Sequence, residues 1–312
     1  MPRFPSRRAL VRGIARAAAA LALVLAALLV VVQLRWQRTF DVPLPALHAR
    51  TDSATIARGR YLAYGPAHCA SCHVAPSDRA RLRAGGQPPL VGGTEFRPPV
   101  GRWYAANLTP DSATGIGRWS DGQIARVLRG GVRHDGRVLF PAMEYQELAD
   151  DDIVALLSFL RAQPPVRHAV PPRRVNVIGR AMLAFGFAPR SPAAPPPRTA
   201  PRGSDAAAGA YLANVVAGCD GCHTKRDLRT GKYVGPPYGG GTVFRERDAQ
   251  GRPIVSPRLA PGTGPMATWT EAQFVARIRA GRAHPHSPME WEAFQKMPEE
   301  DLRAIYRYLR SL

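Results

Sequence analysis

All four cysteines of the chain fall in two copies of one pentapeptide, Cys69–His73 and Cys219–His223. The pattern C-x-x-C-H is the attachment motif of a c-type haem. Two thiols three positions apart on a helical turn can add to the two vinyl groups of one porphyrin, and the adjacent histidine then binds the iron as its proximal ligand. Two copies predict two covalently bound haem c groups. The predicted attachment residues are Cys69, Cys72, Cys219 and Cys222, and the predicted iron ligands are His73 and His223.

Two other uses of paired cysteines agree less well with the chain. A zinc site built from all four cysteines would have to join pairs that are about 150 residues apart. A thioredoxin-like redox pair would need a β-α-β context, which the sequence pattern lacks. The motifs therefore favour haem attachment.

The ligand on the other side of each iron decides the chemistry. Methionine in that position gives an electron carrier with a raised potential, whereas an open position allows catalysis or gas binding. Met143 and Met289 lie in loops before the last helix of each copy, and each is followed two residues later by an aromatic residue. We predict that both bind iron. The residues that compete with them are His134 in the first copy and Met266, His284, His286 and Met297 in the second.

The chain contains an internal repeat with a constant offset of 150 residues. Residues 59–63 recur as residues 209–213, and the cysteines keep the same offset. Each copy also has a capping box, which predicts the start of an amphipathic helix. The boxes are Ser120 with Gln123 and Thr270 with Gln273. Strand-like alternation is weak, so the expected fold class is all-α, with the haem motif near the start of each copy.

The N-terminal region has the pattern of a membrane anchor. Residues 1–16 carry five arginines and no acid, and an unbroken apolar run follows at residues 17–32. With residues 13–15 included, the run is close to the length that crosses a bilayer. No A-x-A-like cleavage site follows it, so we expect an uncleaved anchor at residues 1–38. The excess of arginines before the run places the N-terminus in the cytoplasm.

The formal net charge of +20 is concentrated in two segments. Residues 1–38 contribute seven arginines and residues 164–203 contribute seven more, and neither segment contains an acid. The rest of the chain carries +6, and the four propionates of two haems would bring this to about +2, which argues against nucleic acid as a partner. An anionic membrane surface is the more suitable neighbour for the basic linker.

A segment rich in proline and arginine separates the two copies. Its residues 175–187 are apolar enough to pack on a surface, and residues 191–197 have the composition of a semi-rigid polyproline spacer. The predicted domains are residues 50–165 and 204–312, with the linker at residues 166–203.

Five short motifs follow one another in the first copy. They are Asn-Leu-Thr-Pro-Asp at 107–111, Thr-Gly-Ile-Gly-Arg-Trp-Ser-Asp at 114–121, Gly-Val at 131–132, Asp-Gly at 135–136 and Phe-Pro-Ala-Met at 140–143. In this order they resemble the c-type cytochrome subunits of membrane-bound bacterial dehydrogenases, such as those for alcohol and gluconate. The resemblance extends over most of residues 54–312 and includes the linker at residues 176–187.

Together with the repeat, the resemblance implies two tandem class I cytochrome c-like domains. The apolar run adds one transmembrane helix before them and places the chain at the bacterial inner membrane, with the haem domains in the periplasm. It implies electron transfer rather than catalysis, from a dehydrogenase subunit toward quinone or a terminal oxidase. Asn107, Thr109 and Trp119 resemble family positions near the haem pocket, although loop capping or core packing would explain them equally well.

The chain departs from the family pattern in three respects. Family members commonly carry three haem motifs, whereas this sequence has two. The second copy has residues 256–261 in place of the motif at 107–111, so we expect its haem edge to be packed differently. Glu144 and Glu290 follow the two methionines, where the family usually has proline.

Two other functions stay open from the sequence. A dihaem peroxidase would also have two C-x-x-C-H copies, but it needs one haem that is open or bound by a second histidine. His134, His284 or His286 could supply such a ligand. An electron-entry subunit of a respiratory oxidase complex would have the same motifs as a dehydrogenase subunit.

Overall fold

The structure is a computed structural model, and it describes residues 7–140, 143, 145–227 and 232–312. The chain is mostly helical, as its sequence predicts. The α-helices are α1 (Arg7–Arg35), α2 (Ser53–Tyr64), α3 (Cys69–His73), α4 (Arg79–Arg83), α5 (Asp121–Gly130), α6 (Asp150–Ala162), α7 (Val177–Ala181), α8 (Ala206–Ala210), α9 (Cys219–His223), α10 (Glu271–Arg279), α11 (Trp291–Phe294) and α12 (Glu299–Ser311). The π-helical turns Met182–Gly186 and Tyr211–Val216 continue α7 and α8.

Five short strands accompany the helices, and the sequence pattern did not predict them. They are β1 (Glu95–Phe96), β2 (Gly101–Tyr104), β3 (Arg174–Val175), β4 (Val243–Arg247) and β5 (Pro253–Val255). The first three form an antiparallel sheet in the order β1-β2-β3, and β4 pairs with β5 as an antiparallel hairpin. We refer below to residues 53–162 as the first half and to residues 206–311 as the second half.

Helix α1 contains the apolar run and extends on both sides of it. Of its residues only Val32 is buried, and the rest of the helix is exposed. Among the described residues, this is the one helix that is long and apolar enough to cross a membrane. A helix that is apolar on all sides is typical of a membrane span, and a signal sequence near the N-terminus has the same character.

Each half is built on a close crossing of its first and last helices. Helix α2 crosses α6, and α8 crosses α12. The crossings occur at Gly59 and Gly209, where a Cβ atom would lie 1.8 Å from the carbonyl oxygen of Ala155 and 1.9 Å from that of Ala304. Glycine is required at both positions because the backbones themselves are in contact. This contact explains why the repeat keeps glycine at the same offset.

The two predicted capping boxes are present. In α5 and α10 the cap hydroxyl accepts from the backbone N–H of the glutamine, whose side chain in turn accepts from the N–H of the cap residue. Gly131 ends α5 with a φ of 63° and Gly281 follows α10 with a φ of 68°, as expected for glycine at helix ends. The amphipathic helices of the two copies therefore begin and end at matching positions.

The two halves contact each other through a reciprocal pair of hydrogen bonds. The Tyr61 hydroxyl on α2 donates to Asp301 on α12, and the Tyr211 hydroxyl, at the matching position of the repeat, donates to Asp152 on α6 across 2.9 Å. Asp152 has no solvent exposure and also binds the Arg58 guanidinium at 2.9 Å. Each half thus supplies a tyrosine from its first helix to an aspartate on the last helix of the other half, as in a two-fold symmetric dimer.

The linker lies along the first half rather than spanning a gap. Its strand β3 joins the sheet, the Arg190 N–H donates to the carbonyl of Gly130 at 3.0 Å, and the Pro197 carbonyl accepts from the Asp150 N–H at 3.0 Å. The polyproline segment is therefore bound to α6, whereas the sequence predicted a spacer between the two copies. The domain boundaries at 50–165 and 204–312 stay predictions.

Candidate haem-binding sites

The two C-x-x-C-H motifs form short helices with the same geometry. Each begins after a residue in the left-handed conformation, His68 with a φ of 40° and Gly218 with a φ of 60°. The carbonyl of that residue accepts a hydrogen bond at 3.0 Å from the backbone N–H three positions later. An extended residue, Val74 or Thr224, ends each helix. This single turn brings the two cysteines of each motif to one side of the backbone.

No disulfide joins the four cysteines; three of them are half-buried and Cys222 is exposed. Burial raises the pKa of Cys69 and of Cys219 to about 12. Burial, followed by the charge of Glu290, raises the pKa of Cys72 to about 11. Burial is the main cause of each shift, so these sulfur atoms lie in surroundings with little water, as an apolar porphyrin requires.

The two histidines are oriented in the same way by backbone carbonyls. Nδ1 of His73 donates to the carbonyl oxygen of Ala106 at 2.7 Å, and Nδ1 of His223 donates to that of Pro257 at 2.9 Å. Burial lowers the pKa of both imidazoles, which favours the neutral ring. With the proton on Nδ1, the lone pair of Nε2 is free, as a metal-binding histidine requires. The donor set at both motifs thus fits a covalently attached haem.

A glycine that the 150-residue repeat does not mark completes each histidine site. The N–H groups of Gly92 and Gly240 donate to the backbone carbonyls of His73 and His223 at 2.7 Å. Both glycines have positive φ, and a Cβ at Gly92 would lie 2.4 Å from the carbonyl oxygen of Ala105. The glycines at residues 92–93 and 239–241 were the available signal, but Gly92 and Gly240 are 148 residues apart, whereas the cysteines are 150 apart.

The loops that carry Ala106 and Pro257 are braced by different side chains. The buried Asn107 amide donates to the Val166 carbonyl at 2.9 Å and accepts from the Thr109 N–H at 2.9 Å. At the matching place, the Arg258 guanidinium donates to the carbonyls of two residues that follow it in its own loop, at 3.2 and 2.9 Å. This agrees with the expectation that the second site is packed differently, and it gives Asn107 a loop-bracing role.

Met143 and Met289 are both half-buried against the hydrophobic core. The backbone carbonyl of each accepts from an arginine, Arg190 of the linker for Met143 and Arg282 for Met289, the latter at 3.3 Å. Pro141, Ala142 and Glu144 around the first methionine lie outside the described residues. Iron binding by the two methionines stays a prediction.

The competing residues lie in different surroundings. Met266 and Met297 are fully buried in the core, whereas His284 and His286 are exposed. The His134 ring stacks on Trp119 with 4.3 Å between ring centroids, and burial lowers the His134 pKa. Trp119, which the resemblance associated with the haem pocket, therefore has a packing role in contact with His134.

The second half contacts the first haem motif, where α11 lies against α3. The Glu290 carboxylate, next to Met289, contributes to the raised pKa of Cys72 and of Cys222. The His68 ring meets the edge of Phe294 in the second half, with 6.0 Å between ring centroids. Among the described residues, no group of three or more His, Cys, Asp or Glu side chains is placed to hold a metal ion, as a zinc site would require.

Comparison with known proteins agrees with the motifs, although no protein-family model matches the chain. Over 302 residues the chain is 32% identical to the cytochrome c subunit of a quinone alcohol dehydrogenase from Gluconobacter oxydans, covering 87% of this chain and 58% of that subunit. Several curated relatives are cytochrome subunits of alcohol, fructose and gluconate dehydrogenases. This confirms the resemblance found in the motifs.

The chain covers very different shares of two further relatives. One of the subunits of nicotinate dehydrogenase from Pseudomonas putida is 30% identical over 294 residues, covering 89% of this chain and 23% of that protein. A dihaem c-type cytochrome from Cereibacter sphaeroides is 27% identical over 267 residues, covering 78% and 81%. The chain thus spans 23% of the nicotinate dehydrogenase relative and 58% of the alcohol dehydrogenase relative. The cytochrome subunits agree with the expectation of a non-catalytic chain, and the comparisons do not favour a peroxidase or an oxidase subunit.

Proposed function

We propose that the chain is a dihaem cytochrome c, anchored by α1, that passes electrons from a dehydrogenase subunit toward quinone or a terminal oxidase. The observation that carries the proposal is the matched pair of histidines, each held by a backbone carbonyl beside two thiols. The relatives among dehydrogenase cytochrome subunits support the identity of the donor class. A bound haem c would supply one-electron redox chemistry at each motif.

The residues of the chain have separate tasks in this proposal. Cys69 and Cys72, and likewise the second cysteine pair, would hold the group through thioether bonds. His73 and His223 would bind iron through Nε2, and their Nδ1 hydrogen bonds keep the rings from turning. The thioether sulfurs of Met143 and Met289 would be the second protein ligands of the two irons. The contact of α11 in the second half with the first haem motif supports electron transfer between the two halves.

The proposed location is the inner membrane, with both haem domains in the periplasm. The arginines before the apolar run favour a cytoplasmic N-terminus. Helix α1 then carries the rest of the chain across the bilayer to the side where haem is attached to cysteine. We propose residues 50–165 and 204–312 as two class I cytochrome c-like domains.

The absorption spectrum of the oxidised protein tests the ligands. A methionine–iron bond gives a weak charge-transfer band in the red, and the proposal predicts that Met143→Ala and Met289→Ala each remove half of it. His284→Ala is the matched control from an exposed position, and it should leave the band unchanged. A high-spin haem in the unaltered protein, together with turnover of peroxide, would contradict the electron-carrier function.

The donor is tested separately, by purifying the tagged full-length chain from native membranes in mild detergent. The proposal predicts that a dehydrogenase subunit co-purifies and that its substrate reduces both haems. Failure of every co-purified oxidoreductase to reduce them would exclude the dehydrogenase role while leaving the haem assignment intact.

A further inference from the structure

The linker helix Val177–Gly186 has two different faces. Gly179, Leu183 and Ala184 are buried against the protein. Its large apolar side chains that point outward are Val177, Ile178, Met182 and Phe185, exposed to 57%, 65%, 38% and 53%. Three of them, at positions 178, 182 and 185, fall on one stripe of the helix. A contiguous apolar stripe of this kind on a protein surface marks an interaction site.

The inward face holds the linker helix firmly on the first half. A Cβ at Gly179 would lie 2.3 Å from the carbonyl oxygen of Val100, so the helix rests directly on the backbone beside β2. The Asn176 side chain caps its first turn by accepting from the Gly179 N–H, and it donates to the carbonyl of Pro99 at 2.8 Å. The apolar stripe therefore has a fixed orientation relative to the first haem motif.

The same helix is attached to the end of α1. Arg180 donates to the Gln33 side chain at 2.9 Å, and its guanidinium lies over the Trp36 ring at 5.0 Å from the centroid. The Arg35 guanidinium lies over the Phe185 ring at 5.6 Å. Residues 33–36 are where the apolar run ends, so the linker helix lies at the depth where α1 leaves the bilayer.

The charge around the stripe suits a lipid surface. Arginines are numerous near it, and residues 164–203 contain no acid. Besides Arg35 and Arg180, Arg38 donates to the Phe187 carbonyl just beyond the helix, and Arg173 and Arg174 lie at β3 just before it. An amphipathic helix with apolar side chains on one side and arginines on its flanks binds in the interface of a membrane that contains anionic lipids.

We propose that the outward stripe of Val177–Gly186 is inserted in the interfacial region of the bilayer beside α1. The chain then contacts the membrane at two places, and the first half is held in one orientation above it. This inference rests on the proposed anchoring by α1. The occupant of the stripe is lipid, because the stripe adjoins the end of the membrane-spanning helix.

Photolabelling of the full-length holoprotein tests the inference. The protein is placed in vesicles of phosphatidylethanolamine and phosphatidylglycerol that carry a diazirine on the lipid acyl chain, and labelled peptides are mapped by mass spectrometry. We expect label both in α1 and in residues 177–186. The double variant Ile178→Ser/Phe185→Ser should lose most label from residues 177–186 and keep the label in α1.

The matched control is Val243→Ser/Val255→Ser, because these valines on β4 and β5 are 55% and 51% exposed. This control variant should leave the amount of label in α1 and in residues 177–186 unchanged. Label in α1 with no more label in residues 177–186 than in the β4–β5 hairpin overturns the inference alone. Absence of label from both α1 and residues 177–186 overturns the anchoring and this inference together. Both serine variants replace exposed side chains, and an unchanged thermal unfolding midpoint verifies that they fold.

Discussion

Beyond His73 the loop is braced by the buried Asn107 amide, whereas beyond His223 the matching place is taken by Arg258. The Met143 carbonyl accepts from Arg190 of the linker, whereas the Met289 carbonyl accepts from Arg282 of its own half. The histidines themselves are held alike, by a carbonyl at Nδ1 and a glycine N–H at the backbone. Duplication has thus preserved the backbone contacts of the site, while the side chains around it have diverged.

The largest effect is expected at the helix crossings, which the two halves share. Gly59→Ala and Gly209→Ala each place a Cβ within 2 Å of a carbonyl oxygen, at 1.8 and 1.9 Å. The helices must separate, so each variant should lower the free energy of unfolding by more than about 3 kcal/mol. Denaturant titration measures the loss. Gly186→Ala is the control, because nothing lies within 4 Å of its added Cβ. A small loss of unfolding free energy in only one of the two variants would show that the two helix crossings are not equivalent.

The next effect should distinguish the halves. Asn107→Ala leaves the buried Thr109 N–H without its acceptor, so it should cost about 2 kcal/mol of unfolding free energy. Arg258→Ala frees carbonyls in a half-buried loop and should cost less than about 1 kcal/mol. Denaturant midpoints of the two variants give the comparison. Equal losses would show that the two loops depend on their bracing side chains to the same degree.

The reciprocal tyrosines allow a matched test of the contact between the halves. Tyr211→Phe removes a hydrogen bond to the buried Asp152 and also the acceptor of the Ala149 N–H, so it should cost about 1.5 kcal/mol. Tyr61→Phe removes a bond to the less buried Asp301 and should cost less than about 1 kcal/mol. Thermal unfolding of the two variants measures the difference. The reverse order would contradict the asymmetry that the burial of Asp152 implies.

The smallest effect is expected at the arginines that bind the methionine carbonyls. Arg190→Gln should destabilise the folded form of the Met143 loop by about 1 kcal/mol or less. Arg282→Gln should destabilise that of the Met289 loop by a similar amount. The red absorption band of the methionine–iron bond, followed during denaturant titration, reports each loop. In a Met289→Ala background the remaining band should be weakened by Arg190→Gln and unaffected by Arg282→Gln. Sensitivity to Arg282→Gln in that background would disprove the pairing of arginines with loops.

Local patterns in the sequence were enough to predict the helices that begin at the two capping boxes. The capping residues Ser120 and Thr270 form hydrogen bonds with residues three positions away. The repeat that contains Gly59 and Gly209 can be read directly from the sequence. The acceptors of the His73 and His223 rings lie 33 and 34 residues away, and only the folded loops bring them close. Strands of two to five residues are too short for alternation to be read.

The linker was also predicted only in part, because long-range contacts determine its course. Its composition predicted an apolar segment and a polyproline spacer, and the apolar part does pack on a surface. The spacer differs from the prediction because the Asp150 and Asp151 N–H groups at the start of α6 need acceptors, which the Pro197 and Arg198 carbonyls supply. A requirement of one helix end thus determines the course of a distant segment.

The central claim is that each C-x-x-C-H motif carries its own haem, and the intact mass of the purified chain tests it most directly. The account predicts two covalent haems on the unaltered protein. It predicts one haem on Cys69→Ala/Cys72→Ala, one on Cys219→Ala/Cys222→Ala, and none on the quadruple variant. A single haem on the unaltered protein, retained when either pair of cysteines is replaced, would contradict it.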